Sequence, residues 1–219
     1  MITIGEGTII DPSAVIRGNV TIGKNCRITG CYIGGPAESY SVPMDFNDPI
    51  GSIQIGDNVV IKEFVTIQHS MYEKGRTFIG NNCFIMAHSH IGHDVILEDN
   101  VTISPHVILG GHTHVLQCAN VGISAMTHQF STVGQCVMIG MGSIVVKDIP
   151  PFWTVIGNPA KFLRINKRGM ERFGFSEEEI KEVQSPFFNP EETKYLKLHI
   201  CHNHFNTLRE PHRKVLSRG

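Results

Sequence analysis

Apolar residues recur at every sixth position through the middle of the chain. From Ile79, eleven of twelve positions spaced by six are aliphatic: Ile79, Ile85, Ile91, Leu97, Ile103, Leu109, Val115, Val121, Thr127 (the exception), Val133, Ile139 and Val145. The residue four places after each is small or β-branched in nearly every case. An α-helix repeats every 3.6 residues and a strand every two, so neither explains a period of six. The pattern predicts a three-faced prism of stacked coils, in which each face is a short strand and each coil has about eighteen residues.

The same spacing organises the N-terminal part of the chain, with two interruptions. It holds at Ile4, Ile10, Ile16, Ile22 and Ile28 and resumes at Ile55. Residues 34–52, which include three prolines, and residues 68–77 carry no repeat. Irregular loops on a regular solenoid often carry function, although a corner also tolerates an insertion without any role. We favour a functional role for both loops.

The character of the sequence changes after Asp148, and we expect two domains. Residues 1–164 form the predicted prism, and residues 165–219 form a short C-terminal helical region. Ser176 and Glu179 have the spacing of a capping box at the start of a helix. Asn189–Pro190 is typical of a second helix start. The polar end of the chain is expected to fray.

Composition and charge exclude several classes of function. Of the 219 residues, 41% are hydrophobic and 18% are charged, and the formal net charge is −1. This balance does not favour binding to nucleic acid or to an acidic membrane surface. The sequence shows no segment that would span a bilayer and no signal peptide at its start. Its six cysteines form no C-x-x-C pair, so we expect small core residues in a reducing, cytoplasmic protein.

Histidines cluster in the stretch A-H-S-H-I-G-H-D-V, residues 87–95. Because one coil has eighteen residues, His93 is expected above Gly111 and, one coil further, above Gln129. The neighbours His112 and His128 then join the same column along one edge of the prism. His90 falls on an adjacent part of its coil, and the pattern suggests no role for His88.

Three interpretations of this column remain open at this point. Corner histidines can be solvated turn residues. They can also be ligands of a metal ion, completed by a neighbouring subunit, as in left-handed β-helices that resemble γ-class carbonic anhydrases. Alternatively, His93 acts as a general base supported by Asp94, which requires a corner geometry, because neighbours in a strand point in opposite directions.

Several motifs resemble the hexapeptide-repeat acyltransferases, and in particular the UDP-N-acetylglucosamine O-acyltransferases that open lipid A synthesis. They are I-G-D-N-V-V-I-K-E-F-V-T-I from Ile55, H-I-G-H-D-V from His90, G-G-H from Gly110, H-Q-F from His128, and D-I-P-P-F with G-N-P-A from Asp148. The similarity covers roughly residues 1–184. It implies an all-β left-handed parallel β-helix with a short C-terminal helical appendage, assembled as a homotrimer with active sites between subunits.

The resemblance also implies roles for individual residues. His93 matches the general base, Asp94 the residue that supports it, and Gly111 the residue whose backbone N–H binds the oxyanion. Residues expected to line the acceptor and acyl cleft are His90, His112, His128 and Gln129. Positions near the nucleotide and pantetheine phosphates of the donor and acceptor are Asn166 and Arg172. Met141 stands where the family has a glycine that leaves room for a long acyl chain, so it is expected to shorten the acyl groove.

Departures from the family pattern decide the predicted substrates. The stretch A-E-S-Y-S-V-P-M lacks the family's acceptor-loop lysine, and Arg168 aligns with an acidic nucleotide-contacting residue. We therefore predict transfer of a short acyl group, acetyl in the first place, from acyl-CoA to a nucleotide-activated amino sugar of cell-surface polysaccharide or lipopolysaccharide synthesis, without a metal. One alternative is an acyl-carrier-protein-dependent UDP-N-acetylglucosamine 3-O-acyltransferase with a shorter acyl chain. The other is a metal-binding or non-catalytic β-helix.

Overall fold

The computed structural model describes residues 1–41 and 50–217 and consists of short strands followed by three helices. The strands of the first half are β1 (Ile2–Ile4), β2 (Ile9–Ile10), β3 (Val15–Ile16), β4 (Val20–Ile22), β5 (Arg27–Ile28), β6 (Tyr32–Gly35), β7 (Ser52–Ile55), β8 (Val60–Ile61), β9 (Thr66–Gln68), β10 (Arg76–Ile79), β11 (Phe84–Ile85) and β12 (His90–Ile91). They continue with β13 (Ile96–Leu97), β14 (Thr102–Ile103), β15 (Ile108–Leu109), β16 (His114–Val115), β17 (Asn120–Val121), β18 (Met126–Thr127), β19 (Thr132–Val133), β20 (Met138–Ile139), β21 (Ile144–Val145), β22 (Trp153–Ile156) and β23 (Lys161–Ile165). The helices are α1 (Lys167–Arg172), α2 (Glu177–Gln184) and α3 (Leu196–Leu208).

From β1 to β21, each strand pairs with the strand three positions later in the chain, and this pairing produces three faces. Face A has the order β1-β4-β7-β10-β13-β16-β19, face B has β2-β5-β8-β11-β14-β17-β20-β22-β23, and face C has β3-β6-β9-β12-β15-β18-β21. All pairs are parallel except the final hairpin of β22 with β23. The predicted left-handed parallel β-helix is confirmed.

The sixth-position aliphatic residues form the interior of the prism. Ile85 pairs with Ile103 and Ile103 with Val121, at the predicted spacing of eighteen residues. These ladders are fully buried and belong to one continuous apolar cluster. Of the six cysteines, all of which are free thiols, only Cys118 is not buried. Burial of stacked apolar rows therefore stabilises the coils.

Each corner of the regular coils contains one residue in the left-handed backbone region. These residues recur every six positions with φ between 56° and 62°: Asn82, His88, Asp94, Asn100, His106, His112, Cys118, Ser124, Phe130 and Cys136. Left-handed backbone turns the chain sharply from one face to the next. Asp94 is thus a corner residue, which satisfies the geometric condition for a contact with the side chain of its neighbour His93.

The two irregular loops lie between strands of the early coils. The loop predicted at 34–52 separates β6 from β7, and its residues 42–49 lie outside the described part of the chain. The loop predicted at 68–77 is narrower in the structure, because β9 extends to Gln68 and β10 begins at Arg76. It inserts six residues into one coil, so His90 pairs with Thr66, twenty-four residues earlier.

The C-terminal region packs three helices against the last coils. The predicted domain boundary at 164–165 falls inside β23, which ends at Ile165. The capping box of Ser176 and Glu179 is present at the start of α2. The helix start predicted at Asn189 is wrong. The Asn189 side chain accepts the Glu191 N–H in a local turn, and α3 begins only at Leu196.

Two sets of contacts fix this region to the prism. Phe152, Met170, Phe175 and Leu198 belong to a second apolar cluster, and a hydrogen bond of 2.6 Å joins His204 Nε2 on α3 to Glu98 Oε1 beside face A. Among the described residues, none of the helices combines the length and apolar character that crossing a membrane requires.

Candidate active site

The corner between β12 and β13 joins an imidazole to a carboxylate. His93 Nδ1 lies 3.0 Å from Asp94 Oδ2. The two residues are adjacent in sequence, and the left-handed backbone of Asp94 turns its carboxylate back toward the imidazole. An Nδ1–H that donates to Asp94 leaves Nε2 as the hydrogen-bond acceptor. The pair therefore has the arrangement of a general base with an orienting carboxylate.

The loop between β9 and β10 holds the Asp94 carboxylate in place. The Ser70 hydroxyl donates to Asp94 Oδ1, and the Met71 N–H donates to Oδ2 at 3.1 Å. The Asp94 N–H itself donates to Thr77 Oγ1 at 2.9 Å. Burial alone would raise the pKa of Asp94, but the hydrogen bonds from His93, Ser70 and Met71 outweigh it and hold the pKa below its usual value. The carboxylate consequently stays ionised beside His93.

The next coil places Gly111 against the face of His93. A Cβ atom on Gly111 would lie 2.6 Å from both Cε1 and Nε2 of the imidazole, closer than real contacts allow. Only glycine leaves room for the ring there. The Gly111 N–H finds no hydrogen-bond acceptor among residues 1–41 and 50–217, so it is available to a bound group.

His112 completes this part of the column. Its Nε2 lies 4.0 Å from Asp94 Oδ2, and its ring packs edge-on against His93 with centroids 5.0 Å apart. On the other side it stacks on Phe130, with centroids 4.3 Å apart and an interplanar angle of 3°. Burial lowers the pKa of His112, and the nearby Asp94 charge opposes that change. The ring is thus a fixed wall of the site.

Gln68 and His90 lie on face C beside the same corner. Gln68 Oε1 accepts the His93 N–H at 3.2 Å, and the Gln68 side chain is buried. His90 Nδ1 lies 2.8 Å from Thr66 Oγ1, and burial lowers the pKa of His90. A neutral His90 is suited to hydrogen bonding with an uncharged hydroxyl group.

His128 and Gln129 occupy the same corner two coils beyond His93, as the eighteen-residue spacing predicts. His128 Nδ1 lies 3.0 Å from the carbonyl oxygen of Gln129. Seven predicted site residues therefore share one corner or its adjoining strand: His90, His93, Asp94, Gly111, His112, His128 and Gln129.

Met141, Asn166 and Arg172 lie elsewhere. Met141 is 76% exposed at the corner between β20 and β21, where faces B and C meet. Asn166 and Arg172 line a groove of about 1160 Å³ between face B and the C-terminal region. The Asn166 amide is already engaged, because it donates to the Cys136 carbonyl at 2.7 Å and accepts the Gly169 N–H at 3.2 Å as the cap of α1. It shapes the groove by fixing α1.

His88 lies at the corner between faces B and C, away from His93. Its ring stacks on Phe64 and on His106, with centroids 4.8 and 4.9 Å apart. These contacts make His88 part of an aromatic ladder at the surface of the prism. The structure thus separates His88 from the other two histidines of its stretch.

The types of residue at the His93 corner also bear on the metal hypothesis. Among the described residues, His93, Asp94 and His112 form the one group of three potential ligands whose donor atoms lie within 4.8 Å of one another. However, both carboxylate oxygens of Asp94 already accept hydrogen bonds from Ser70, Met71 and His93. These three hydrogen bonds hold the carboxylate as the partner of the His93 imidazole, which is the arrangement that a general base uses.

Comparison with known proteins identifies the repeat and the C-terminal region. The family described as bacterial transferase hexapeptide (six repeats) matches residues 1–35 and 76–111. The family described as UDP-N-acetylglucosamine O-acyltransferase, domain 2, matches residues 148–188. LpxA from Acinetobacter baumannii superimposes with a TM-score of 0.86 over 99% of this chain and 89% of that one, at 24% identity. The structural similarity establishes the fold.

Curated relatives similar in sequence include two that are named acyl-[acyl-carrier-protein]–UDP-N-acetylglucosamine O-acyltransferase. The protein of Gloeothece citriformis is 36% identical over 79% of this chain and 62% of its own length. That of Pseudomonas savastanoi is 40% identical over 61% of this chain and 52% of its own length. The chain thus spans between half and two thirds of these relatives.

These names correct the predicted donor and favour the alternative function. The relatives are named for an acyl group carried on acyl carrier protein, so the predicted acyl-CoA donor is wrong. They are also named for O-acylation of UDP-N-acetylglucosamine, which supports the alternative prediction over acetyl transfer to an amino sugar. The repeat, the prism and the C-terminal match together place the chain in the hexapeptide-repeat acyltransferase family of the left-handed β-helix type.

Proposed function

We propose that the chain transfers an acyl group from acyl carrier protein to a hydroxyl group of UDP-N-acetylglucosamine. The observation that carries this proposal is the His93–Asp94 pair packed against the unsubstituted face of Gly111. A base and a free backbone N–H on adjacent coils are the two groups that acyl transfer to a hydroxyl requires. The names of the similar proteins supply the donor and the acceptor.

His93 acts as the base in this mechanism. Its Nε2 removes the proton of the sugar hydroxyl while the oxygen attacks the thioester carbonyl carbon. Asp94, held ionised by Ser70 and Met71, orients the ring and stabilises the imidazolium that forms. When the tetrahedral intermediate collapses, the C–S bond breaks and the imidazolium returns the proton to the departing thiolate. The products are a sugar ester and the free thiol.

Gly111 supplies the oxyanion contact. The thioester carbonyl oxygen gains negative charge in the tetrahedral intermediate, and a fixed backbone N–H beside it stabilises that charge. The Gly111 N–H has no acceptor within the described part of the chain and lies in the residue packed on the His93 ring. Base and oxyanion contact therefore belong to neighbouring coils of one rigid prism.

The groove between face B and the C-terminal region is suited to the phosphate of the donor arm. Four cationic side chains line it, namely Arg164, Lys167, Arg168 and Arg172. Glu171 also lines the groove and pairs with Lys167 at 3.6 Å, so the cationic side chains outnumber the carboxylate and complement the phosphate of a phosphopantetheine arm. The Asn166 cap that fixes α1 also fixes the three of these residues that lie on that helix, Lys167, Arg168 and Arg172.

The acyl chain is proposed to be short and to lie between copies of the chain. Met141 projects from its corner, where a glycine would leave an open path. Ile108 and Met126 are adjacent on the outside of face C and are 41% and 39% exposed. A homotrimer in which a neighbouring copy covers this face would bury that apolar surface and provide the second wall of the acyl groove.

Incubation of the purified chain with UDP-N-acetylglucosamine and 3-hydroxyacyl carrier proteins of graded chain length tests the proposal. Mass spectrometry should detect one sugar ester, and shorter acyl chains should react faster. Replacement of Arg164, a cationic residue of the groove between face B and the C-terminal region, by Glu should raise the KM for acyl carrier protein at least fivefold but leave the KM for UDP-N-acetylglucosamine unchanged. Absence of an ester with every chain length would refute the proposed donor and acceptor.

A further inference from the structure

The segment after α3 is bonded to the end of the prism, contrary to the expectation that it would fray. The Asp148 N–H donates to the Lys214 carbonyl at 3.0 Å, and the Leu216 N–H donates to the Asp148 carbonyl at 2.8 Å. Asp148 and Val215 form a parallel bridge. Asp148 follows the corner positions of Asp94, His112 and Phe130 at intervals of eighteen residues, so this C-terminal segment crosses the end of the candidate active-site column.

The Arg213 guanidinium makes four hydrogen bonds in this position. Nε–H donates to Asp148 Oδ1 at 2.9 Å, and Nη1–H donates to the Gln129 carbonyl at 2.9 Å. Nη2–H groups donate to Ser131 Oγ at 2.9 Å and to the Val146 carbonyl at 3.2 Å. The planar guanidinium therefore connects a fully buried carboxylate to two successive corners of the column.

The corner that Arg213 holds also supports the residues beside His93. The Phe130 N–H donates to the Gly111 carbonyl at 2.9 Å, and the Phe130 ring stacks on His112. His128 shares the Gln129 carbonyl with Arg213. A shift of residues 128–131 would therefore move the predicted acceptor-binding residues and the support beneath Gly111 together.

We propose that Arg213 is a positioning residue for acceptor binding, which acts by fixing the corner of residues 128–131. The proposal rests on the acyltransferase function proposed above and assigns the C-terminal segment a part in that site. Burial lowers the pKa of His112, and the negative charges of Asp94 and of Glu210, which belongs to the C-terminal segment, oppose that change.

Neutralisation of the buried Asp148 charge is the competing explanation for Arg213, and Arg209 offers a matched control. Arg209 Nε lies 3.5 Å from Asp148 Oδ2, and its Nη2–H donates to the Arg213 carbonyl. Neither contact reaches residues 128–131. If Arg213 matters only by neutralising Asp148, Arg213→Lys should keep the acceptor KM of wild type, because lysine retains the positive charge.

Steady-state kinetics of the Arg213→Ala, Arg213→Lys and Arg209→Ala variants separate these explanations. In Arg213→Ala we expect the KM for UDP-N-acetylglucosamine to rise at least fivefold, with the KM for acyl carrier protein within twofold of wild type. Added guanidinium should restore part of the loss. Arg209→Ala should keep both KM values within twofold.

An unchanged acceptor KM in a folded Arg213→Ala protein would overturn the proposal, and so would equal effects of the two alanine variants. If Arg213→Ala does not fold, the same criteria apply to Arg213→Lys, which keeps the charge but cannot make all four bonds. If the wild-type chain transfers no acyl group, the proposed function fails. The positioning role of Arg213 is then tested by NMR of the labelled His112 and His128 rings. If Arg213 positions the corner, the ring resonances should shift in Arg213→Lys but not in Arg209→Ala. Unshifted resonances in Arg213→Lys would refute the positioning role.

Discussion

Replacement of Gly111 by alanine tests the contact between adjacent coils on which the candidate site depends. The added methyl group would lie 2.6 Å from Cε1 and Nε2 of His93, whereas ordinary contacts begin near 3.4 Å. Gly111 does not have a left-handed backbone, so alanine brings no conformational strain of its own. The backbone N–H also remains. The substitution therefore acts through the position of the imidazole.

The size of the effect follows from the displacement. The His93 ring must move by about 0.8 Å to restore a contact of 3.4 Å. A misplacement of roughly 1 Å at a reacting group costs about 10²-fold in rate, which corresponds to about 2.7 kcal/mol of activation free energy. Overpacking at a tightly filled position also lowers the free energy of unfolding by about 1–3 kcal/mol.

Two measurements on Gly111→Ala check this reasoning. The transfer assay should show kcat reduced about 10²-fold, because the base no longer lies at the attacking hydroxyl. Denaturant unfolding should show a loss of stability that disappears when His93 is also alanine, because the ring that clashes is then absent. A normal kcat, or the same destabilisation with and without His93, would refute the proposed contact.

Three further predictions concern other parts of the molecule. Met141→Gly should shift the preference toward longer acyl donors in a chain-length panel, because it opens the groove. Ser70→Ala removes a hydrogen bond to the ionised Asp94 and should lower the free energy of unfolding by about 2 kcal/mol in denaturant titrations. Burial of His202 lowers its pKa to about 4. As the pH falls from 6.5 to 4, the His202 ring therefore takes up a proton in the unfolded chain but not in the folded one. The free energy of unfolding should fall by about 3 kcal/mol across that range. The His202→Phe variant should lack this pH-dependent loss when melting is measured at several pH values.

The prism was predictable because its period is a local property of the sequence. An aliphatic residue at every sixth position fills the interior whatever the loops contain, so ladders such as Ile85–Ile103–Val121 follow from spacing alone. The same spacing located the column that joins His93, Gly111 and Gln129. Regular stacking converts a distance along the chain into a distance in space.

The eighteen-residue spacing did not predict contacts in the coil that contains an insertion. Eighteen residues before Asp94 stands Arg76, but the residue that binds the carboxylate is Ser70, twenty-four residues earlier. The six inserted residues fold over the corner, and no repeat indicates which of them faces Asp94. The irregularity of residues 68–77 was the only available signal, and it marked the loop without marking Ser70 or Met71.

The C-terminal segment escaped prediction for a different reason. Its polar composition suggested fraying, but the polarity of Arg213 serves contacts with Asp148 and with corner carbonyls more than sixty residues away. Such long-range pairing leaves no periodic pattern in the sequence. The helix start at Asn189 failed because a local turn satisfies the same residues without continuing into a helix.

The comparison of His93→Ala with His88→Ala tests the central claim most directly. Both histidines belong to the stretch of residues 87–95, but His93 is paired with Asp94 and His88 stacks at another corner. If His93 is the base, turnover in His93→Ala should fall by a factor on the order of 10² or more, with the fold intact. His88→Ala should stay within about threefold of wild type, since its stack touches no group that the mechanism uses. Near-normal turnover in a folded His93→Ala protein would contradict the account.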